Sequence, residues 1–164
     1  MPQLNKEGRY PVTLTLNGQQ VTGHAEPRML LSDFLTHEIG ITSCHVGCEH
    51  GVCGACTLEV DGAMVRGCLM LAVQADGAKV TTIEGYADDQ RASDLQQAFQ
   101  RHNSLQCGYC TPGMMASALE YVEAGGAADR DAIREHISGN YCRCTGYQSI
   151  VDAIVDVIEE RAAS

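Results

Sequence analysis

Cysteine carries the chemistry in this sequence. Five of the nine cysteines fall between residues 44 and 68, in the run Cys44-His-Val-Gly-Cys48-Glu-His-Gly-Val-Cys53-Gly-Ala-Cys56 followed by Cys68. Read from Cys48 the spacing is C-x4-C-x2-C, with a fourth cysteine after eleven further residues. That is the spacing of a plant-type [2Fe–2S] loop, held by four thiolates. Four thiolates converge on two irons only if the chain wraps closely round the inorganic core. Gly47, Gly51 and Gly54 lie between the cysteines, and glycine permits positive φ and close backbone approach, so N–H groups can point at the cluster sulfurs. Cys44 stands outside the pattern, because putting it in place of Cys48 gives C-x8-C. It reads as a buried or half-buried free thiol.

A second set follows: Cys107-Gly-Tyr-Cys110-Thr-Pro-Gly113 and, after 31 residues, Cys142-Arg-Cys144-Thr-Gly-Tyr147. Each pair sits just before a predicted helix, whose N-terminus offers free N–H groups and the positive end of a dipole to an anionic cluster. Taken alone, C-x2-C with C-x-C does not separate an iron–sulfur site from structural zinc. Its place beside a plant-type loop favours iron. His45 and His50 flank the first thiols, but a Rieske centre needs two histidines in its own spacing, and no C-x2-H exists to supply the second.

The elements that must position these thiols can be read in order. Val12, Leu14 and Leu16 alternate with threonines ahead of Asn17-Gly18, a strong hairpin signal. Met29 to His37 suits a short helix on that hairpin, with Ser32-Asp33 in its first turn and Gly40 past its end. After the cysteine loop, Asp61-Gly62 marks a second hairpin, Leu69 to Val73 continues extended, and Val80 to Ile83 supplies a last strand. Residues 84–90 form a polar stretch read as a domain boundary. The remainder is helical: Ser93 caps a helix to about His102, and Thr111-Pro112 opens a second that Gly125-Gly126 stops. Asp129 to Ile137 forms a third, closed by Gly139, and Tyr147 to Arg161 a fourth. The fold class is therefore α+β. A β-grasp plant-type [2Fe–2S] ferredoxin domain over 1–84 precedes a four-helix bundle domain over 85–164.

Composition narrows the function. A formal charge of −10 over 164 residues, with no basic patch, argues against nucleic acid. No apolar run of about 18 residues predicts a membrane span. The start lacks a signal-peptide h-region, so the expected setting is cytoplasmic and reducing, where clustered cysteines point to metal rather than disulfides.

Three stretches together resemble the small iron–sulfur subunit of the molybdenum hydroxylases, the xanthine oxidase family that includes carbon monoxide and aldehyde dehydrogenases. They are Cys48-Glu-His-Gly-Val-Cys53-Gly-Ala-Cys56-Thr, Gln106-Cys107-Gly-Tyr-Cys110-Thr-Pro-Gly and Asn140-Tyr-Cys142-Arg-Cys144-Thr-Gly-Tyr. The resemblance runs from Val12 to about Val157. It implies two [2Fe–2S] clusters: Cys48, Cys53, Cys56 and Cys68 for the one nearer FAD, and Cys107, Cys110, Cys142 and Cys144 for the one nearer molybdenum. It implies pterin contacts at Gln106 and Cys144, a large subunit with a molybdopterin-type molybdenum cofactor, and a medium FAD subunit. The expected assembly is a dimer of heterotrimers, a heterohexamer. The chain would relay electrons and perform no substrate chemistry itself. A free-standing two-cluster ferredoxin and a zinc-stabilised interaction module are the readings it must be weighed against.

Overall fold

The computed structural model describes residues 4–86 and 90–163. The alternation of Val12, Leu14 and Leu16 with threonine forms β1 (Tyr10–Leu16), whose buried positions follow the same period of two. It pairs antiparallel with β2 (Gln19–Ala25), and Asn17 and Gly18 both take positive φ, 49° and 81°, as a tight hairpin turn requires. The second hairpin joins β3 (Thr57–Val60) to β4 (Ala63–Arg66) through Asp61 and Gly62, at φ 50° and 84°. Strand β5 (Lys79–Thr81) enters the middle, parallel to β1 and antiparallel to β3, so the sheet runs β2-β1-β5-β3-β4.

The helix on this sheet, α1, starts as Leu31–Asp33 and widens into a π-helical segment, Phe34–Ile39, capped by Gly40 at φ 91°. Leu31, Phe34 and Leu35 are fully buried beneath it. The expected extended run from Leu69 to Val73 is a correction. Gly67–Leu69 and Ala72–Ala75 are 3-10 turns, with one isolated bridge, Leu30 to Leu71, between them and α1. Ala72 and Ala75 are wholly buried. Such small residues let the chain coil tightly against α1 where a strand would leave a gap.

In the second half the helices are α2 (Gln90–Arg101), α3 (Thr111–Glu123), α4 (Arg130–His136) and α5 (Gln148–Ala162). Ser93 lies inside α2 rather than capping it. The cap of α3 is Cys110, not Thr111, so Pro112 sits within the first turn, where its missing N–H costs nothing. Asp129 caps α4 as its sequence suggests, accepting from the N–H groups of Asp131 and Ala132 at 3.1 and 2.8 Å. The end of that helix tightens into a 3-10 turn, Ile137–Gly139. Buried apolar side chains form two clusters, one from Val12 to Val80 and the other from Tyr86 to Val157.

The stretch between the two clusters is not a free linker. Ile83–Tyr86 forms a 3-10 turn, Tyr86 is buried, and its hydroxyl donates to Glu59 Oε2 at 2.7 Å. The rest of the expected boundary, at 87–89, lies outside the described residues.

Candidate metal centres

The first four thiols hang on a loop pinned at both ends. On the entry side, Glu84 accepts from the Ser43 hydroxyl and main-chain N–H and from Thr82 Oγ1 at 2.6 Å. Burial works against the Glu84 charge, but the hydrogen bonds from Ser43 and Thr82 outweigh it and hold the carboxyl below its ordinary range. On the exit side, Cys56 opens into β3 and Cys68 lies in the turn after β4, both buried. Within the loop Gly51 and Gly54 take positive φ, 79° and 73°. Gly47 does not; a Cβ there would sit 3.1 Å from Cys53 Sγ, so its role is close approach to a sulfur.

The four thiols are set out in pairs. Cys53 N–H donates to Cys48 Sγ at 3.4 Å. That bond first, with the His50 backbone, pulls the Cys48 thiol down to about 6. Burial first, and the neighbouring Cys56 thiol second, push Cys68 up to about 11. A bound metal would deprotonate such thiols outright. Cys44 is left out of the pairs, buried near Gly67, its thiol raised to about 12 by burial and then by Cys56.

The second set closes round the N-termini of α3 and α5. Cys144 Sγ donates to Cys107 Sγ at 3.5 Å. Cys110, the α3 cap, is raised to about 12 by burial and then by the neighbouring Cys142 thiol. Burial alone would raise Cys142 too, yet its thiol is lowered, because Thr145 donates to Cys142 Sγ from its hydroxyl at 3.0 Å and its N–H at 3.4 Å. Tyr147, at φ 67°, turns the chain into α5 and accepts the Cys142 N–H on its hydroxyl at 2.9 Å. Cys107 and Cys144 are exposed, and Gln106 beside them donates to the Cys144 carbonyl at 3.1 Å. All eight sequence-predicted thiols thus gather into two quartets, and Gln106 joins the rim of the second.

In neither quartet do three His, Cys, Asp or Glu side chains meet round a single point as a one-ion site would have them, and this holds for all the described residues. Eight motif cysteines in two sets of four are enough donors for two [2Fe–2S] cores, each of which takes four thiolates.

Sequence reasoning missed the residues that tie the two quartets together. Asn140, only 2% exposed, donates to the Gly54 carbonyl at 3.0 Å and accepts from Ser117 Oγ at 2.9 Å. Arg66 reaches Thr57 Oγ1 at 2.5 Å and the Gly139 carbonyl at 3.0 Å, and Tyr141 N donates to the Cys53 carbonyl at 2.8 Å. A Cβ on Gly54 would collide with the Gly139 carbonyl, and one on Gly113 with the Gly54 carbonyl. The signal for Asn140 was a polar residue beside a ligand motif, which alone does not distinguish a seam from a surface loop.

Residues 14–98 match a family model described as a 2Fe-2S iron-sulfur cluster binding domain, and residues 82–155 one described as a [2Fe-2S] binding domain. The chain is 50% identical over 153 residues to the caffeine dehydrogenase subunit gamma of Pseudomonas sp. (strain CBB1), covering 90% of each. It is 47% identical over 148 residues to the nicotine 6-hydroxylase small subunit of Paenarthrobacter nicotinovorans, covering 90% of this chain and 89% of that one. It also superposes on a chain of quinoline 2-oxidoreductase from Pseudomonas putida 86 with a TM-score of 0.86 at 46% identity, covering 94% and 96% of the two chains.

Proposed function

This chain belongs to the small iron–sulfur subunits of the molybdenum hydroxylase family, and from that membership we propose that it is the electron relay of a multi-subunit oxidoreductase. It would hold two [2Fe–2S] clusters and pass electrons from a molybdopterin subunit to an FAD subunit. The observation that supports this reading is that motif thiols meet inside segments matching two [2Fe–2S] domain models, Cys53 N–H on Cys48 Sγ at 3.4 Å and Cys144 Sγ on Cys107 Sγ at 3.5 Å. When bound, each cluster would accept and return one electron. Cys48 with Cys53 and Cys56 with Cys68 are the pairs that would hold one, and Cys107 with Cys144 and Cys110 with Cys142 the other.

We read the mixed sheet with α1 as a β-grasp domain over 1–84 and the four later helices as a bundle over 85–164. The chain's surface suits a subunit. Beside the first quartet Val52 and Leu69 are exposed, Leu69 to 63%, and beside the second Tyr141 is exposed to 55%, with Leu105 close by in sequence. Apolar groups at both rims favour burial against protein, and a relay needs two such contacts. We assign the Cys107–Cys144 rim, with Gln106, to the molybdopterin subunit and its pterin, and the Val52–Leu69 rim to the FAD subunit, in a dimer of heterotrimers. No helix among the described residues is long and apolar enough to cross a membrane; with thiols kept reduced, we place the chain in the cytoplasm.

Affinity purification of the tagged chain from its native cell tests the assembly. Two larger chains, one with molybdenum and one with FAD, should co-purify in equal number. A chain recovered alone, with both clusters intact, would show a free-standing ferredoxin instead.

A further inference from the structure

Besides the Asn140 and Arg66 contacts, two further ties join the segments that carry the quartets. One is main chain, the bond from Tyr141 N to the Cys53 carbonyl. The other is built from side chains. The His45 and Tyr109 rings stack with centroids 4.5 Å apart and planes 13° from parallel. His45 Nδ1 lies 2.7 Å from the Tyr109 carbonyl, and the Tyr109 hydroxyl donates to the Val46 carbonyl at 2.9 Å. Tyr109 adjoins Cys110, and Val46 stands two residues before Cys48.

Gly47 completes the contact. The single Cβ position it leaves vacant is 3.1 Å from Cys53 Sγ and 3.9 Å from Tyr109 Cε1. The Cys53 sulfur and the edge of the Tyr109 ring therefore both lie within 4 Å of one missing methyl group. Burial does not explain the arrangement, because Tyr109 is 48% exposed. A tyrosine that keeps about half of its surface in water is nevertheless fixed by a stack and two hydrogen bonds, all to the same short segment of the first loop. Offset stacking and a satisfied hydroxyl hold such a ring in one place.

We propose that His45 and Tyr109 are the side-chain bridge for electron transfer between the two metal centres, with His45 the positioning residue that holds the Tyr109 ring against Gly47. This rests on the electron-relay reading above. Tunnelling is faster through packed atoms than across water, and the stacked rings supply such atoms. With both clusters bound, each event would move one electron from the cluster held beside Tyr109 to the one held beside Gly47. No proton moves, and neither ring changes oxidation state in the balance.

The test uses the full chain in its native complex, with four variants: His45→Ala, His45→Phe, Tyr109→Leu and Tyr109→Phe. Iron content and the two EPR signals are recorded first. Absence of both signals from the unaltered protein overturns the relay reading and this proposal with it. With both signals present, flash photoreduction gives the rate at which an electron redistributes between the centres. The dipolar splitting of the doubly reduced state reports their separation. His45→Ala and Tyr109→Leu should slow redistribution while splitting and both potentials stay at their original values; His45→Phe and Tyr109→Phe, which keep the rings, should restore the rate. If His45→Ala loses a cluster, His45→Gln against His45→Phe gives the same contrast of polar group without ring. An unchanged rate in Tyr109→Leu overturns the bridge and leaves the relay reading standing. So does a slowed rate that comes with an altered splitting, since the rings would then only space the loops.

Discussion

Thr145 shows how one side chain can set the behaviour of a metal centre. Its hydroxyl donates to Cys142 Sγ at 3.0 Å, and a hydrogen bond to a ligand sulfur stabilises the more negative, reduced state. Thr145→Val should therefore lower the potential of the second cluster while leaving the first alone. A net hydrogen bond of about 1 kcal/mol corresponds to a fall of roughly 20–60 mV for a one-electron couple, and Thr145→Ser should show none of it. Redox titration followed by EPR measures both. Glu84 makes a prediction about pH. Its carboxyl is held below the ordinary range in the folded chain by Ser43 and Thr82, so the folded state binds that proton less readily than the unfolded one. The resulting stability is fully present above the unfolded value near 4.3 and is lost as pH falls through the lower folded value. Urea midpoints of the natural chain and Glu84→Gln should differ most at neutral pH and converge on acidification. A constant difference down to low pH would sink the linkage.

At the scale of elements, the seam between sheet and helices is where structure goes furthest beyond the sequence. Asn140→Ala removes the buried acceptor of the Ser117 hydroxyl and one of the donors to the Gly54 carbonyl, which keeps Thr57, and should cost about 1–3 kcal/mol in denaturant unfolding. Gly54→Ala meets both a left-handed φ of 73° and the Gly139 carbonyl, and should cost about 2 kcal/mol or more. Both hairpins were legible because Asn17-Gly18 and Asp61-Gly62 are local signals: a two-residue turn fixes its own register. Helices α3 and α4 were legible because each has a cap or breaker beside it, and α5 because Ile150, Val151, Ile154, Val157 and Ile158 recur at helical spacing. What could not be read was decided by distant partners. Ala72 and Ala75 are wholly buried in a 3-10 turn packed near α1, and the α3 cap falls on Cys110, one residue before the Thr111 that the local signal suggests. The thiol sets were read from spacing, but their two-by-two pairing was not, since Cys107 meets Cys144 only when α3 and α5 bring their N-termini together.

For the whole molecule, the two cores and the seam make opposite demands. Separate apolar clusters would let each half keep its own metal centre, whereas the hydrogen bond from Tyr141 N to the Cys53 carbonyl ties a neighbour of one quartet to a member of the other. Cys48→Ser should abolish the EPR signal of the first cluster and preserve the second, because the second quartet draws all its ligands from the helical half; loss of both would show that the halves fold only together. The central claim is that eight thiols hold two two-iron clusters, and the most direct test is metal and acid-labile sulfide analysis of the purified chain together with EPR after reduction. The account predicts about four irons and four sulfides per chain with two distinguishable signals. Stoichiometric zinc with no sulfide and no signal after reduction would contradict it.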